Sequence, residues 1–455
     1  FKMPHAYVII FIMTVITAIL ANIIPAGTFD RVEDASGNSV VVADSFHHVD
    51  KIGCSIFDMF KSFQIGFEDS AQIIFFIIFA YAFVYVLLKN GTFDALVGSV
   101  LRKVGNRIEL IIPVCMILFG LLGSTMGMFE ETYGLIPVFI SIAMALGYDA
   151  IVGGSVIYLG VAVGFAAATI NPFTIGIAQE VAGVKMFSGL GYRILCFVVF
   201  MGISIWYVWR YARRIQKDPT KSYLYGEKIE TLECASREEM MEIKMTTTHK
   251  LSCLLFVFTI GILLYGTIKL GWYIDEIATL FIIMTIVSGL VSRFTPSEIA
   301  DIFIEASKEM MYGALLVGIS RSIAVIMENA QIIDTVVYWL ATMLQHFRGM
   351  ASAMGMLFAQ NIINFFIPSG AGQALITMPI LAPVGEMVGV SRQVSVLAYQ
   401  FGDGFSNIFW PTSVFMMCGI MRLPINKWYR FVTPLFLIIF AASIVLLGAA
   451  VVIGY

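Results

Sequence analysis

Three acidic residues stand inside apolar sequence: the adjacent Glu130 and Glu131, and the single Asp403. A carboxylate in such a setting costs several kcal/mol unless it meets a cavity or a partner, so these positions suit binding or proton transfer better than packing. Small hydroxyl, amide and glycine residues accompany them. Ser124, Thr125 and Gly127 precede the pair; Asn171, Pro172 and Thr174 follow it; Ser369, Gly370, Gly372 and Gln373 precede Asp403; Asn407, Thr412 and Ser413 follow it. No Lys or Arg falls among them, so the set is net acidic and suits a cation, because a guanidinium or ammonium gains charge-assisted hydrogen bonds from carboxylates. Free N–H groups at helix starts can meanwhile hold a carboxylate. Together these chemistries fit an amino acid with a cationic side chain as the small-molecule partner. A dicarboxylate would meet repulsion unless cations or protons offset it. Of the adjacent acids, Glu131 is the better ligand candidate because it aligns with Gln373, and the substrate's positive end is expected to face the first acidic segment.

Other chemistries fit less well. A hydrolase within the membrane could use paired carboxylates, but no carboxylate here has a matched partner in the other half, so the chain is not expected to be an enzyme. His5, His47, His48, His249 and His346 fall at span ends or in loops, and the six cysteines have no metal or redox spacing, so neither a metal site nor a cofactor is expected. Coupling to sodium or protons stays open. Arg321, basic and deep in an apolar run, could draw an anion, but a lone buried Arg is more often paired structurally. Asp149 and Arg392 read as surface or interface residues.

The elements that must position these groups follow from composition. Of 455 residues 59% are hydrophobic and only 13% charged, too few charges to coat a soluble protein of this length. Continuous apolar runs near helix-spanning length exclude a closed barrel, and a net charge of −3 without a basic patch excludes a nucleic-acid partner. The fold class is therefore an all-α polytopic protein in a lipid bilayer. Full spans are expected at 6–26, 71–89, 150–185, 187–209, 251–267, 274–292, 311–328, 391–418 and 428–453, and surface helices at 92–107 and 331–347. The run 6–26 reads as a first span rather than a signal peptide, with a short stretch expected before Phe1.

Two apolar segments, 108–147 and 349–388, do not read as simple spans. Each carries a Gly/Ser-rich turn at its middle, Gly123 to Gly127 and Pro368 to Gly372, and both are expected to be re-entrant hairpins. Prolines at Pro172 and Pro411 break the spans that follow them. Lys and Arg gather on the side holding the N-terminus and 210–250, whereas 27–70 is acidic, so the N-terminus is expected in the cytoplasm.

The halves match weakly at an offset near 240: Asn90 and Asp94 with Asn329 and Asp334, Pro137 with Pro379, Gly164 with Gly404, and Asn171-Pro172 with Trp410-Pro411. An odd number of spans separates the copies, so the second is inverted, an arrangement typical of secondary transporters and without purpose in a passive channel. The expected organisation is 1–70, an N-terminal span and acidic extracytoplasmic loop; 71–210, the first repeat; 211–250, a cytoplasmic linker; 251–310, two spans and a surface helix; and 311–455, the second repeat.

At Gly127 to Thr132, Ile170 to Gln179, Ile367 to Gln373 and Gln400 to Asn407, with an early Ile23-Ile24-Pro25-Ala26-Gly27, the sequence resembles the YfcC family. That family sits with the anaerobic C4-dicarboxylate carrier-like proteins and the basic amino-acid antiporters of the ion transporter superfamily. The resemblance covers essentially the whole chain. It implies a multi-pass protein of the bacterial inner membrane, a homodimer working as an elevator, exchanging basic amino acids such as arginine and ornithine or else moving a carboxylate. Relatives carry Ser-Asn-Thr tips with sodium; the tips here are Gly-Ser-Thr and Pro-Ser-Gly.

Overall fold

A computed structural model describes residues 6–33, 39–104, 109–227, 242–270, 272 and 274–455; Cys234 and the middle of the expected linker lie outside them. The described chain is nearly all helical. Helix α1 (Ala6–Ile23) leads into four short strands, β1 (Gly27–Thr28), β2 (Arg31–Glu33), β3 (Ser39–Val41) and β4 (His47–His48), in which β1 pairs with β4 and β2 with β3, both antiparallel. Helix α2 (Ile56–Lys89) follows, then α3 (Thr92–Val104).

Helix α2 starts well before the expected span at 71. Ser55 and Asp58 form a capping box, and Met59, Ser62, Gly66 and Ser70 are buried along one face at helical spacing. The rest of that half mixes exposed Ile56, Phe57 and Phe60 with charged Asp58, Lys61, Glu68 and Asp69, and the charges interrupt the apolar run. The same applies to α11 (Pro296–Asn329), expected only from 311: Thr295 and Glu298 box its start, Pro296 takes the first turn, and Ile299, Ile302, Ala306 and Met310 are buried. Both helices have 34 residues, roughly 50 Å each, and they pack along one another. Gly66 permits their close crossing, since a Cβ there would lie 2.6 Å from the Gly318 carbonyl oxygen and 2.9 Å from the Ser322 nitrogen.

The first expected hairpin consists of α4 (Ile111–Met126), a 3-10 turn at Glu130–Leu135 and α5 (Ile136–Ala145). The broken span is α6 (Ala150–Ala167), a π turn at Pro172–Gly176 and α7 (Ile177–Val181), followed by α8 (Leu190–Lys217). Helices α9 (Thr247–Tyr265) and α10 (Ile274–Val291) precede α11. The second half then runs α12 (Ile333–Leu344), α13 (Met350–Phe366), α14 (Gly370–Met387), α15 (Arg392–Ser406), α16 (Pro411–Met421) and α17 (Ile425–Ile453). The succession from α2 to α8 thus recurs from α11 to α17, with α2 and α11 starting 240 positions apart. Among the described residues, six helices are long and apolar enough to cross a membrane. The first arms of the two helix–turn–helix units, α4 and α13, have 16 and 17 residues and fall short of the ~30 Å hydrocarbon thickness.

At the centre, α6 is buried almost all round, against α4, α5, α8 and α15. The strand segment is fixed to the second half. Asp334 of α12 accepts both oxygens' bonds from Arg31 Nη2 (3.0 and 2.9 Å) and one from the Phe29 N–H (3.0 Å), Phe46 stacks on Tyr338 at 4.1 Å, and β3 packs on α14.

Candidate functional site

The first break begins where Ala168 turns out of the helix at φ 23°. Pro172 has no N–H to donate, and Asn171 before it is extended, as residues before proline tend to be. The N–H groups freed there are taken up by the first helix–turn–helix. Thr169 N and Ile170 N donate to the Ser124 carbonyl (2.9 and 3.2 Å), and the Ser124 hydroxyl donates to Thr169 Oγ1 at 2.9 Å. Gly127 is left-handed at φ 69°, and a Cβ there would lie 2.9 Å from Asn171 Cγ. Asn171 Oδ1 accepts from the Phe173 N–H at 2.9 Å, while its Nδ2 and the Thr174 hydroxyl are buried with no hydrogen-bond partner among the described residues. Thr125, partly exposed, donates back to Leu121 O at 2.6 Å and joins none of this.

The second turn reaches the same place from the other half. Ser369 caps α14 by accepting from the Gly372 N–H at 3.3 Å. Gly370 lies between the breaks: a Cβ there would be 2.7 Å from Thr174 Cγ2, 3.2 Å from Asp403 Oδ2 and 3.5 Å from Phe165 Cζ. Its carbonyl accepts from Tyr399 Oη at 2.6 Å. Behind this turn runs a buried polar chain. Gln373 Nε2 donates to Gln360 Oε1 (2.7 Å), and Asn364 Nδ2 donates both to Gln373 Oε1 (3.2 Å) and to Asp403 Oδ1 (2.7 Å). Asp403 is fully buried, and its Oδ2, Asn364 Oδ1, Gln400 Oε1 and Thr412 Oγ1 have no partner among the described residues. Asn407 accepts from Ser413 Oγ at 3.2 Å and donates to the Asp403 carbonyl at 3.1 Å, which holds the second break.

The acid pair sits in the 3-10 turn of the first helix–turn–helix. The 3-10 turn carrying it packs on α2, where a Cβ on Gly134 would be 3.1 Å from the Tyr81 nitrogen. Glu131 Oε2 accepts from the Phe129 N–H at 2.9 Å, and the residue lines a cavity of about 40 Å³ with Ala80, Phe83, Val84, Phe256 and Phe281. Among the described residues, no hydrogen bond links Glu130 or Glu131 to Asp403. Phe129, next to the pair, meets Phe165 edge-on at 5.2 Å, and the Phe165 ring approaches the same Gly370 position as Asp403 Oδ2.

Some residues of the site have no place in the sequence reading. Gln360 and Asn364 stand four apart on α13, a spacing that puts them on one face and was available as a signal. Arg193, inside the expected span 187–209, is 1% exposed; its Nε and Nη2 donate to the Thr169 carbonyl (3.3 and 3.1 Å) and its Nη1 to Ser188 O (2.6 Å) and Tyr455 Oη (3.2 Å). Arg321 stays outside, bridging Asp69 (3.4 Å) and Glu328 (3.1 Å). Asp149 caps α6 and accepts from Tyr211 and Ser222, and Arg392 pairs with Glu386 at 3.0 Å.

Comparison with known proteins gives the arrangement its setting. The family profile described as C4-dicarboxylate anaerobic carrier matches residues 3–452. YfcC of Escherichia coli (strain K12), provisionally named a basic amino acid antiporter, is 31% identical over 100% of this chain and 97% of its own length. An uncharacterised Haemophilus influenzae protein is 28% identical over 87% of this chain and 78% of its own. Two solved proteins are similar at lower levels: the Alcanivorax borkumensis YdaH transporter, with TM-score 0.45, 16% identity and 99% of both chains covered, and Neisseria gonorrhoeae MtrF, with TM-score 0.42, 18% identity and coverage of 99% and 95%. Likeness of that degree fixes neither mechanism nor substrate. The match over nearly every residue is a match to membrane transporters and not to enzymes, and the chain belongs to the C4-dicarboxylate anaerobic carrier family.

Proposed function

We propose that this secondary transporter exchanges basic amino acids such as arginine and ornithine across the bacterial inner membrane, with its N-terminus in the cytoplasm. The observation that carries the reading is Gly370. The turn of the second helix–turn–helix sits between Thr174 of one break and the buried, half-satisfied carboxylate of Asp403 in the other. A site made of two chain breaks and two glycine-bearing turns offers amides, hydroxyls, a carboxylate and helix ends to a small polar ligand. A lone carboxylate there favours a cationic ligand over a dianion. The provisional name of YfcC points the same way.

In this reading the two helix–turn–helix units are re-entrant hairpins, the halves are an inverted repeat, and hairpins and broken helices travel together as an elevator within a homodimer. The short arms of α4 and α13 and the recurring order of elements support it. The test uses purified protein in liposomes preloaded with arginine or ornithine and labelled arginine outside. Uptake that depends on internal basic amino acid is expected. Uptake of succinate in its place would overturn the reading in favour of carboxylate transport. Sodium and proton gradients imposed in the same vesicles decide whether either ion is coupled.

A further inference from the structure

Two buried charges flank the candidate site without meeting each other. On the side of the first break, Arg193 is 1% exposed and bonded only to neutral acceptors, the Thr169 and Ser188 carbonyls and the Tyr455 hydroxyl. On the side of the second break, Asp403 is 0% exposed and bonded through one oxygen to the neutral Asn364. Neither forms an ion pair with a residue described here. A buried charge held only by neutral dipoles is costly, and each leaves a field across the space between them.

The unpartnered atoms sort by the same polarity. In the first half they include a donor, Asn171 Nδ2, two residues beyond the carbonyl that Arg193 holds, and the Thr174 hydroxyl, which can donate. In the second half they include acceptors: Asp403 Oδ2, Asn364 Oδ1 and Gln400 Oε1. Thr174 and Asp403 come together at one place, Asn364 is bonded to Asp403, and Asn171 precedes Thr174 by three residues. Gly370 touches both Thr174 and Asp403, and the Gln400 amide donates to the carbonyl of Phe165, whose ring also reaches Gly370.

We infer that the site orients its substrate by the α-amino acid group, the carboxylate toward Asn171 and Thr174 and the α-ammonium on Asp403 Oδ2, with Arg193 as a positioning residue that makes the first break electropositive. This rests on the amino-acid reading above. It reverses the orientation expected from the sequence, in which the acid pair of the first half takes the positive end; Glu131 faces α2 and an apolar cavity instead. A zwitterion aligned this way satisfies the orphaned donor and acceptor together and opposes both buried charges.

The test is counterflow of labelled arginine in proteoliposomes, competed by two partial ligands: δ-guanidinovalerate, which lacks the α-ammonium, and agmatine, which lacks the carboxylate. Asp403→Asn is expected to weaken arginine and agmatine about tenfold or more while leaving δ-guanidinovalerate within about twofold, the loss of one hydrogen bond to a charged group. Asn171→Asp is expected to give the reciprocal pattern, weakening arginine and δ-guanidinovalerate and sparing agmatine. Retained competition by the spared analogue shows in each case that the variant is folded. If Asp403→Asn does not survive purification, the Asn171→Asp pattern decides alone. Equal weakening of both analogues in a variant overturns the orientation and leaves the transport reading standing. Absence of arginine counterflow in the unaltered protein removes the basic amino-acid reading, and this orientation with it.

Discussion

Gly370 has no side chain to contribute, and its place in the site depends on that. A methyl group there would lie 2.7 Å from Thr174 Cγ2, closer than real Cβ contacts, and 3.2 Å from Asp403 Oδ2. Gly370→Ala is expected to lower the initial rate of arginine counterflow about tenfold or more while leaving the thermal unfolding midpoint in detergent within a few degrees, because the turn can shift outward. Full activity in that variant would show that the turn does not close on the breaks. Asn364 tests the chain behind the turn. Asn364→Leu leaves Gln373 Oε1 and Asp403 Oδ1 without their donor and is expected to destabilise the protein by about 1–3 kcal/mol, read from the unfolding midpoint. Asp403, Gly370 and Asn171 were legible in the sequence because charged, flexible or amide residues inside apolar runs stand out. Asn364, Gln360 and Arg193 were not. The two amides lie in α13, which reads as ordinary apolar helix, and Arg193 near the head of an apolar run looks like any interfacial arginine until the fold closes over it.

At the scale of elements, the order of helices was readable and their ends were not. Gly/Ser-rich turns and in-run prolines mark chain breaks by elementary backbone chemistry, and helices end near them. The early starts of α2 and α11 escaped because their first halves bury only one stripe and place charges among the remaining residues, so hydropathy falls while the helix continues. The crossing of these helices is set by Gly66. Gly66→Ala would drive a methyl into the Gly318 carbonyl and the Ser322 amide, backbone atoms that cannot rotate away, and is expected to cost about 1–3 kcal/mol of stability. A variant with an unchanged unfolding midpoint would mean that the helices slide apart freely. The strand segment was read only as an acidic loop, since pairs of two or three residues leave no periodic signature.

For the whole molecule, the tie between Arg31 and Asp334 joins the strand segment after α1 to the chain's second half. Asp334 is buried and accepts from a guanidinium and a backbone N–H together, so Asp334→Ala orphans both donors. The expected result is faster proteolysis between residues 27 and 50 in intact vesicles, with the rest of the chain still protected. Unchanged cleavage would show that the stacking of Phe46 on Tyr338 suffices. Recurrence of the α2 to α8 order in α11 to α17 was visible in the sequence through its glycines and prolines, which keep backbone roles when other residues drift. The placement of Glu131 beside α2 was not, because depth along a helix says nothing of direction around it.

The packing of α6 on α15 bears on how such a molecule can move. A Cβ on Gly404 would strike Ala166, so the ends of the two broken helices butt backbone to backbone with no side-chain layer between them. Surfaces in that kind of contact have no lubricating rotamers and no alternative register. Whatever displacement transport requires, the two helices must make it as one piece. In the proposed reading a ligand held at the breaks travels inside one mechanical unit rather than at a sliding joint, and rate-altering substitutions should map outside these two helices while affinity-altering ones map to the breaks.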